Sequence, residues 1–200
     1  MIRSYGYQLM GWAIISLLLM GCNQSPAERY KAHERKELAS GLRKDSLFMG
    51  FYFKMPKKEF REYCFEMNLK GKFKQGGRKN SGWVESSLPG TQYPAAINFY
   101  PNFIEDSISE MHAAIYYDDD AVFKDGIFER DSLLLDVLNL LDTRYGKETF
   151  KIKSPLFYKE DVYVKLNGNR RITIYPDPSG QLINVWFADM TAIKNTSEEK

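Results

Sequence analysis

Two side chains in this 200-residue chain could form a nucleophile–base pair, Cys64 and His112. A thiol or hydroxyl nucleophile needs a base within hydrogen-bond reach. Cys64 recurs with Phe60, Tyr63 and Met67 at i, i+3, i+4, i+7, one face of a helix, so a buried apolar thiol is expected. His112 sits in Met-His-Ala-Ala-Ile on a strand, where a structural imidazole is expected. No G-x-S-x-G elbow occurs. Zinc wants three or four His, Cys or carboxylate ligands, and the His/Cys set is missing. Asp118, Asp119, Asp120 and Asp125-Gly126 could attract calcium, but their spacing is not that of an EF-hand and reads as a solvated acidic loop. Gly76 to Gly82 is basic and Gly-rich without the P-loop pattern, and reads as a hairpin loop. Glycoside hydrolysis needs two placed carboxylates, and no motif singles out a pair among the 26 acidic residues. The expectation is therefore a protein that is not an enzyme, with no catalytic residue, no metal and no cofactor.

A different chemistry is written near the start. Leu9 to Met20 is apolar and uncharged, the length of a signal-peptide core and too short to span a bilayer. Arg3 supplies the positive flank. The run closes on Leu19-Met20-Gly21-Cys22. This resembles the bacterial lipobox, in which Leu, a small residue and Gly or Ala precede a Cys; Met20 is larger than the usual residue. The resemblance implies cleavage before Cys22, acyl chains of the palmitate kind on its sulfur, and acylation of the new amino group. Two or more chains give stable membrane anchoring. Asn23 is not Asp, so the inner-membrane retention signal is missing. The acidic surface-export patch is missing from Asn23 to Pro26. The expected location is the outer membrane, facing the periplasm.

Removing residues 1–21 leaves 179 residues, and losing Arg3 takes 28 Lys+Arg to 27 against 26 Asp+Glu. This near-neutral balance gives no footprint for nucleic acid. With Cys22 acylated, Cys64 has no disulfide partner.

Ser25-Pro26-Ala27-Glu28 has the form of a capping box with Pro at the first helical position. The charged stretch that follows has no apolar stripe, so 22–45 reads as a lipidated polar spacer, a short helix or flexible arm that lifts the domain off the lipid. His33, within it, reads as solvated. The domain runs from 46 to 190, with halves 46–120 and 121–190, and 191–200 reads as a disordered tail.

The first half opens with a helix from Pro56, stopped by Gly71. Strands follow at 73–75, 82–86, 95–100 and 108–117, punctuated by Pro89, Pro94 and Pro101. In the second half, Leu134, Val137, Leu138, Leu141 and Tyr145 trace a helical stripe ended by Gly146. Val162, Val164 and Leu166 alternate with polar residues, Asn167-Gly168 signals a hairpin, and 170–175 returns. Asp177-Pro178-Ser179-Gly180 turns the chain into a last strand at 182–188. The fold class is α+β: two tandem units of a helix and antiparallel strands, forming one domain with the helices on one sheet face.

Gly50 to Met55 followed by Pro56 to Phe60 resembles the helix entry of two families, the beta-lactamase inhibitor protein and the small lipoprotein of the outer-membrane assembly machinery. The usual Ser/Thr helix cap is absent here. The stretches FREYCFEMNLKGKFKQG, AINFYPNF and VYVKLNGNRRITIY resemble uncharacterised envelope lipoproteins of the Bacteroidetes type. These likenesses imply a shared fold and bring no catalytic residues.

Trp83, Tyr93, Tyr175 and Trp186 lie on or beside strands. Trp186 and Asn184 are expected to point opposite to Val185 and Phe187. Trp83, Lys165, Arg171, Thr173 and Trp186 form the candidate binding face, since aromatics and Arg are enriched at binding hot spots. The alternative is that these aromatics fill the core. The expected role is a membrane-anchored envelope module that binds a protein partner or braces an assembly. The second possibility is a glycan-binding or hydrolytic protein that uses the aromatic face.

Overall fold

The computed structural model describes residues 25–76, 82–118, 130–153, 161–178 and 181–193. Among them, α1 (Pro26–Ala39), α2 (Lys57–Leu69) and α3 (Arg130–Tyr145) accompany eight strands. β1 (Lys74–Gln75), β2 (Val84–Leu88), β3 (Ala95–Ile104) and β4 (Ser107–Tyr117) form one meander; β5 (Phe150–Lys153), β6 (Asp161–Asn167), β7 (Arg170–Pro176) and β8 (Ile183–Asp189) form another. The two meet last strand to last strand in a single sheet of order β1-β2-β3-β4-β8-β7-β6-β5, antiparallel throughout. Each meander follows its own helix, the expected two-unit α+β architecture.

Period-two alternation decides the faces. Along β4, Met111, Ala113, Ile115 and Tyr117 are buried while Glu110, His112, Ala114 and Tyr116 are not. Buried positions of β3, β7 and β8 line up with the first set, and α2 and α3 cover it with Phe60, Leu133, Val137 and Leu141. Leu134 and Leu138 are half-buried beside that core. α3 ends at Gly146, whose φ of +94° an L side chain rarely adopts.

The segment between α1 and α2 is core-forming. Leu47, Phe48, Phe51, Phe53 and Met55 are all buried. Phe51 lies within 5.2–6.1 Å, ring centre to ring centre, of Phe48, Phe60, Tyr63, Phe73 and Phe99. Edge-to-face arrangements at these separations are favourable. Gly50 enables the turn: a Cβ there would sit 2.9 Å from the Tyr63 hydroxyl, which donates to the Met49 carbonyl at 2.9 Å.

Four expectations need correction. Of the two readings of the polar stretch, the short helix holds, but it packs on the domain instead of lifting it. α1 has its full capping box, with Ser25 N–H donating to the Glu28 carboxylate at 2.8 Å and Glu28 N–H to Ser25 Oγ at 3.3 Å. It lies against β5 and β6 on the face opposite α2 and α3, where Tyr30 packs on Val162, Val164 and Leu166. His33 is not solvated: its side chain is 15% exposed, 5.1 Å from the Phe150 ring and 3.8 Å from both Glu37 and Glu148. Pro101 does not end a strand. It lies within β3, past the last β2 pair Val84↔Phe99, so its missing N–H costs no bond on that side. Residues 191–193 of the expected tail are a helical turn that Asp189 caps, accepting from Thr191 N–H at 3.1 Å; 194–200 lie outside the described residues. The Asp119–Asp125 loop, most of the Gly76–Gly82 loop, the Ser179-Gly180 part of the turn, and Cys22 with its preceding apolar run lie outside the described residues.

Candidate functional site

α1 covers only the β5–β6 side of its face. Among the described residues no helix covers the remainder, from β2 to β7, whose side chains come from alternate positions. Across β4, β8 and β7, one row is His112, Trp186, Thr173; the next is Glu110, Ala188, Arg171. β3 adds Tyr100 opposite His112 and Asn102 opposite Glu110.

Trp186 is flanked on both sides. The His112 ring stacks on it at 5.2 Å and 18°, and the Arg171 guanidinium lies 5.4 Å from its centre. Such cation–ring contacts are attractive through the ring quadrupole. His112 is also 3.7 Å from Glu110 and 3.2 Å from Asn102 Nδ2, which donates to Glu110 at 2.8 Å. The imidazole beside it holds the Glu110 carboxyl below its ordinary range; burial opposes this, and the Asn102 bond adds to it. The Nε1 of Trp186 and the Nε of Arg171 are buried donors with no hydrogen-bond partner among the described residues.

Of the residues chosen from sequence, Arg171, Thr173 and Trp186 do share this face. Thr173 is buried between its neighbours at 6% exposure, so it supports the face from beneath. Trp83 stands at the edge beside Tyr100, ring centres 6.2 Å apart. Lys165 does not belong. It pairs with Ile172 on the helix-covered face and is 3% exposed. Its ammonium bonds to Asp142, and donates to the Gly146 carbonyl and Thr149 Oγ1, each at 2.7 Å. Placing a Lys on β6 by alternation alone missed a buried charge that α3 satisfies at its C-terminus.

Sequence reasoning passed over Tyr100, Asn102, Glu110 and His112 as members of the face. The alternation Glu110, His112, Ala114, Tyr116 was a usable signal. The β4–β8 pairing, which sets His112 against Trp186, is not readable from sequence.

Cys64 is half-buried on α2, and burial pushes its thiol up to about 12, so it is a poor thiolate. No group of three or more His, Cys, Asp or Glu able to hold a metal ion occurs among the described residues. Among them, no helix is long and apolar enough to cross a membrane. No protein-family model matches the chain, and no curated protein or solved structure shows a significant match to it.

Proposed function

We propose that this chain is a lipoprotein of the bacterial envelope, anchored through Cys22 to the outer membrane and facing the periplasm, and that its open sheet face binds a protein partner. The anchor reading rests on the lipobox resemblance of Leu19 to Cys22. One observation supports the binding reading: Trp186 is held between His112 and Arg171 on a part of the sheet that no helix covers among the described residues. Trp and Arg set in a rigid surface are the side chains that dominate protein interfaces.

The glycan reading is weaker on the same geometry. Sugar rings stack on a free aromatic face, and both flanks of Trp186 are occupied. Only the Trp83–Tyr100 pair at the edge is left to it.

The test is in-cell photocrosslinking of full-length protein with the crosslinker at Tyr100, which is 39% exposed, and a control crosslinker at Lys58 on α2. One stoichiometric protein captured from position 100 and not 58, and lost in a Trp186→Ala, Arg171→Ala variant, supports the reading. Capture that ignores both substitutions refutes it, and glycan binding that depends on Trp83 would put the second reading in its place. A Cys22→Ala variant that stays in the membrane fraction refutes the anchor.

A further inference from the structure

We infer that the corner of the sheet formed by β5 and the start of α1 is a docking surface for anionic lipid headgroups, so that the domain lies against its membrane. The inference rests on the lipid anchor proposed at Cys22. The first described residue is Ser25, on which the capping box of α1 closes. From Cys22 to Ser25 there are three peptide steps, which span at most about 11 Å. A chain that short cannot lift the body from the bilayer. It can only fix which corner touches.

That corner is a groove of about 880 Å³ between α1 and β5. Four cations and two carboxylates line it around the β5 edge: Arg29 on the α1 side, Lys151 and Lys153 with Asp161 on the other side, where they alternate with Phe150 and Ile152, and Lys147 and Glu148 leading into the strand. The whole chain is nearly balanced, 28 basic to 26 acidic residues, so this two-to-one excess is local. Lys151 and Lys153 both reach Asp161, at 2.8 and 2.9 Å, yet their side chains remain 57% and 71% exposed. Asp161 is held below its ordinary range first by Lys151 and then by Lys153, so it is a carboxylate shared by two ammoniums, one of which is left in surplus. Lys147 is exposed beside them. Clusters of Lys and Arg next to a membrane anchor are drawn to anionic lipid, and salt screens the attraction.

α1 links this corner to the open face. α1 runs along β6 from the anchored corner, with Ser25 near Asp161 and Glu37 accepting from Gly168 N–H at 2.6 Å. Trp186 and His112 lie on the same side of the sheet as α1.

The test uses full-length acylated protein in vesicles, with intact mass reporting the acyl chains. Cys64→Ala removes the free thiol, and one fluorophore is placed at Glu148→Cys at the corner or Lys58→Cys on α2. Vesicles carry headgroup-level nitroxide quencher in phosphatidylethanolamine with phosphatidylglycerol, or in phosphatidylcholine alone. The expected result is stronger quenching at 148 than at 58 in anionic vesicles. The difference should shrink in phosphatidylcholine, in high salt, and in Lys147→Gln, Lys151→Gln, Lys153→Gln protein of unchanged melting temperature. Equal quenching at 148 in both lipids means the tether alone brings the corner near, and overturns the inference. So does a label at 148 that is shielded from water without nitroxide quenching, since a protein would then cover the corner. No acyl chains in the mass overturns the anchor, and this inference with it; acyl chains without the lipid dependence overturn only this inference.

Discussion

His112 and Trp186 stack across the junction of the two meanders, 5.2 Å apart and 18° from parallel. The pair joins residues from different halves of the chain, so it exists only because β4 and β8 are neighbours. Replacing His112 by Ala uncovers one flank of Trp186. Aromatic pairs contribute about 0.5–1.5 kcal/mol beyond area burial, so His112→Ala is expected to cost about that in chemical denaturation. Acrylamide quenching of tryptophan emission should rise in the same variant. Unchanged quenching would mean that His112 does not cover the ring.

Lys165 was chosen from sequence as a surface cation and is a buried one. It holds the α3 C-terminus through Gly146 and the strand-entry residue Thr149. Breaking a buried pair by removing one partner costs about 3–5 kcal/mol; Asp142 keeps a third of its side chain in water, so Lys165→Met is expected at or below the lower end. The double variant Lys165→Met, Asp142→Leu should recover part of the loss, because it leaves no orphaned charge. If Lys165→Met costs less than about 1 kcal/mol, typical of exposed pairs, the site is a surface interaction after all.

These two residues show what the sequence carried. Periodicity placed α3, the hairpin at Asn167-Gly168 and the inward alternation of β4 and β8, because each depends on neighbours close in the chain. It could not place Lys165, whose partners lie 16 to 23 residues away at and just past the C-terminus of α3. Nor could it place the Phe48–Phe51–Phe53 segment, which has no regular period and packs as an irregular plug in the aromatic core. The candidate face was half legible for the same reason. Arg171, Thr173 and Trp186 share parity on adjacent strands β7 and β8, whereas His112 and Glu110 join them only through strand order.

Asp189 sets part of the acid limb of stability. Burial pushes its carboxyl up, but hydrogen bonds from Thr191, Arg43 and Asn169 outweigh that and hold it below its ordinary value. Arg43 reaches it at 2.9 Å and Asp45 at 2.6 Å, tying the chain before the core segment to the end of β8. A depressed folded pKa stabilises the native state above the unfolded value, about 3.9 for Asp, and that stability is lost as pH falls toward the folded pKa. Wild-type melting temperature should therefore drop below about pH 4. Asp189→Asn should be less stable at pH 7 and show a shallower drop across the same range. An unchanged slope would assign the acid limb to other carboxylates.

Tyr30 decides whether α1 belongs to the body. The helix has no buried residue and only a weak apolar bias, so propensity and packing along a stripe cannot hold it. What chiefly holds it is the Tyr30 ring, packed on Val162, Val164 and Leu166 and 6.0 Å from the Phe150 ring, with its hydroxyl donating to Glu34 at 2.8 Å. Burial, then the Glu34 bond, raises the phenol to about 12, so the ring stays neutral at any working pH. Tyr30→Ala should release α1: amides of 26–39 should exchange near the rate of an unstructured peptide, while those of β3, β4 and β8 keep their protection. The β6 apolar residues would then meet water, and the variant should bind a hydrophobic dye that the wild type does not. Retained protection of 26–39 would show instead that the Glu37–Gly168 bond and the His33 contacts suffice to dock the helix without the aromatic anchor.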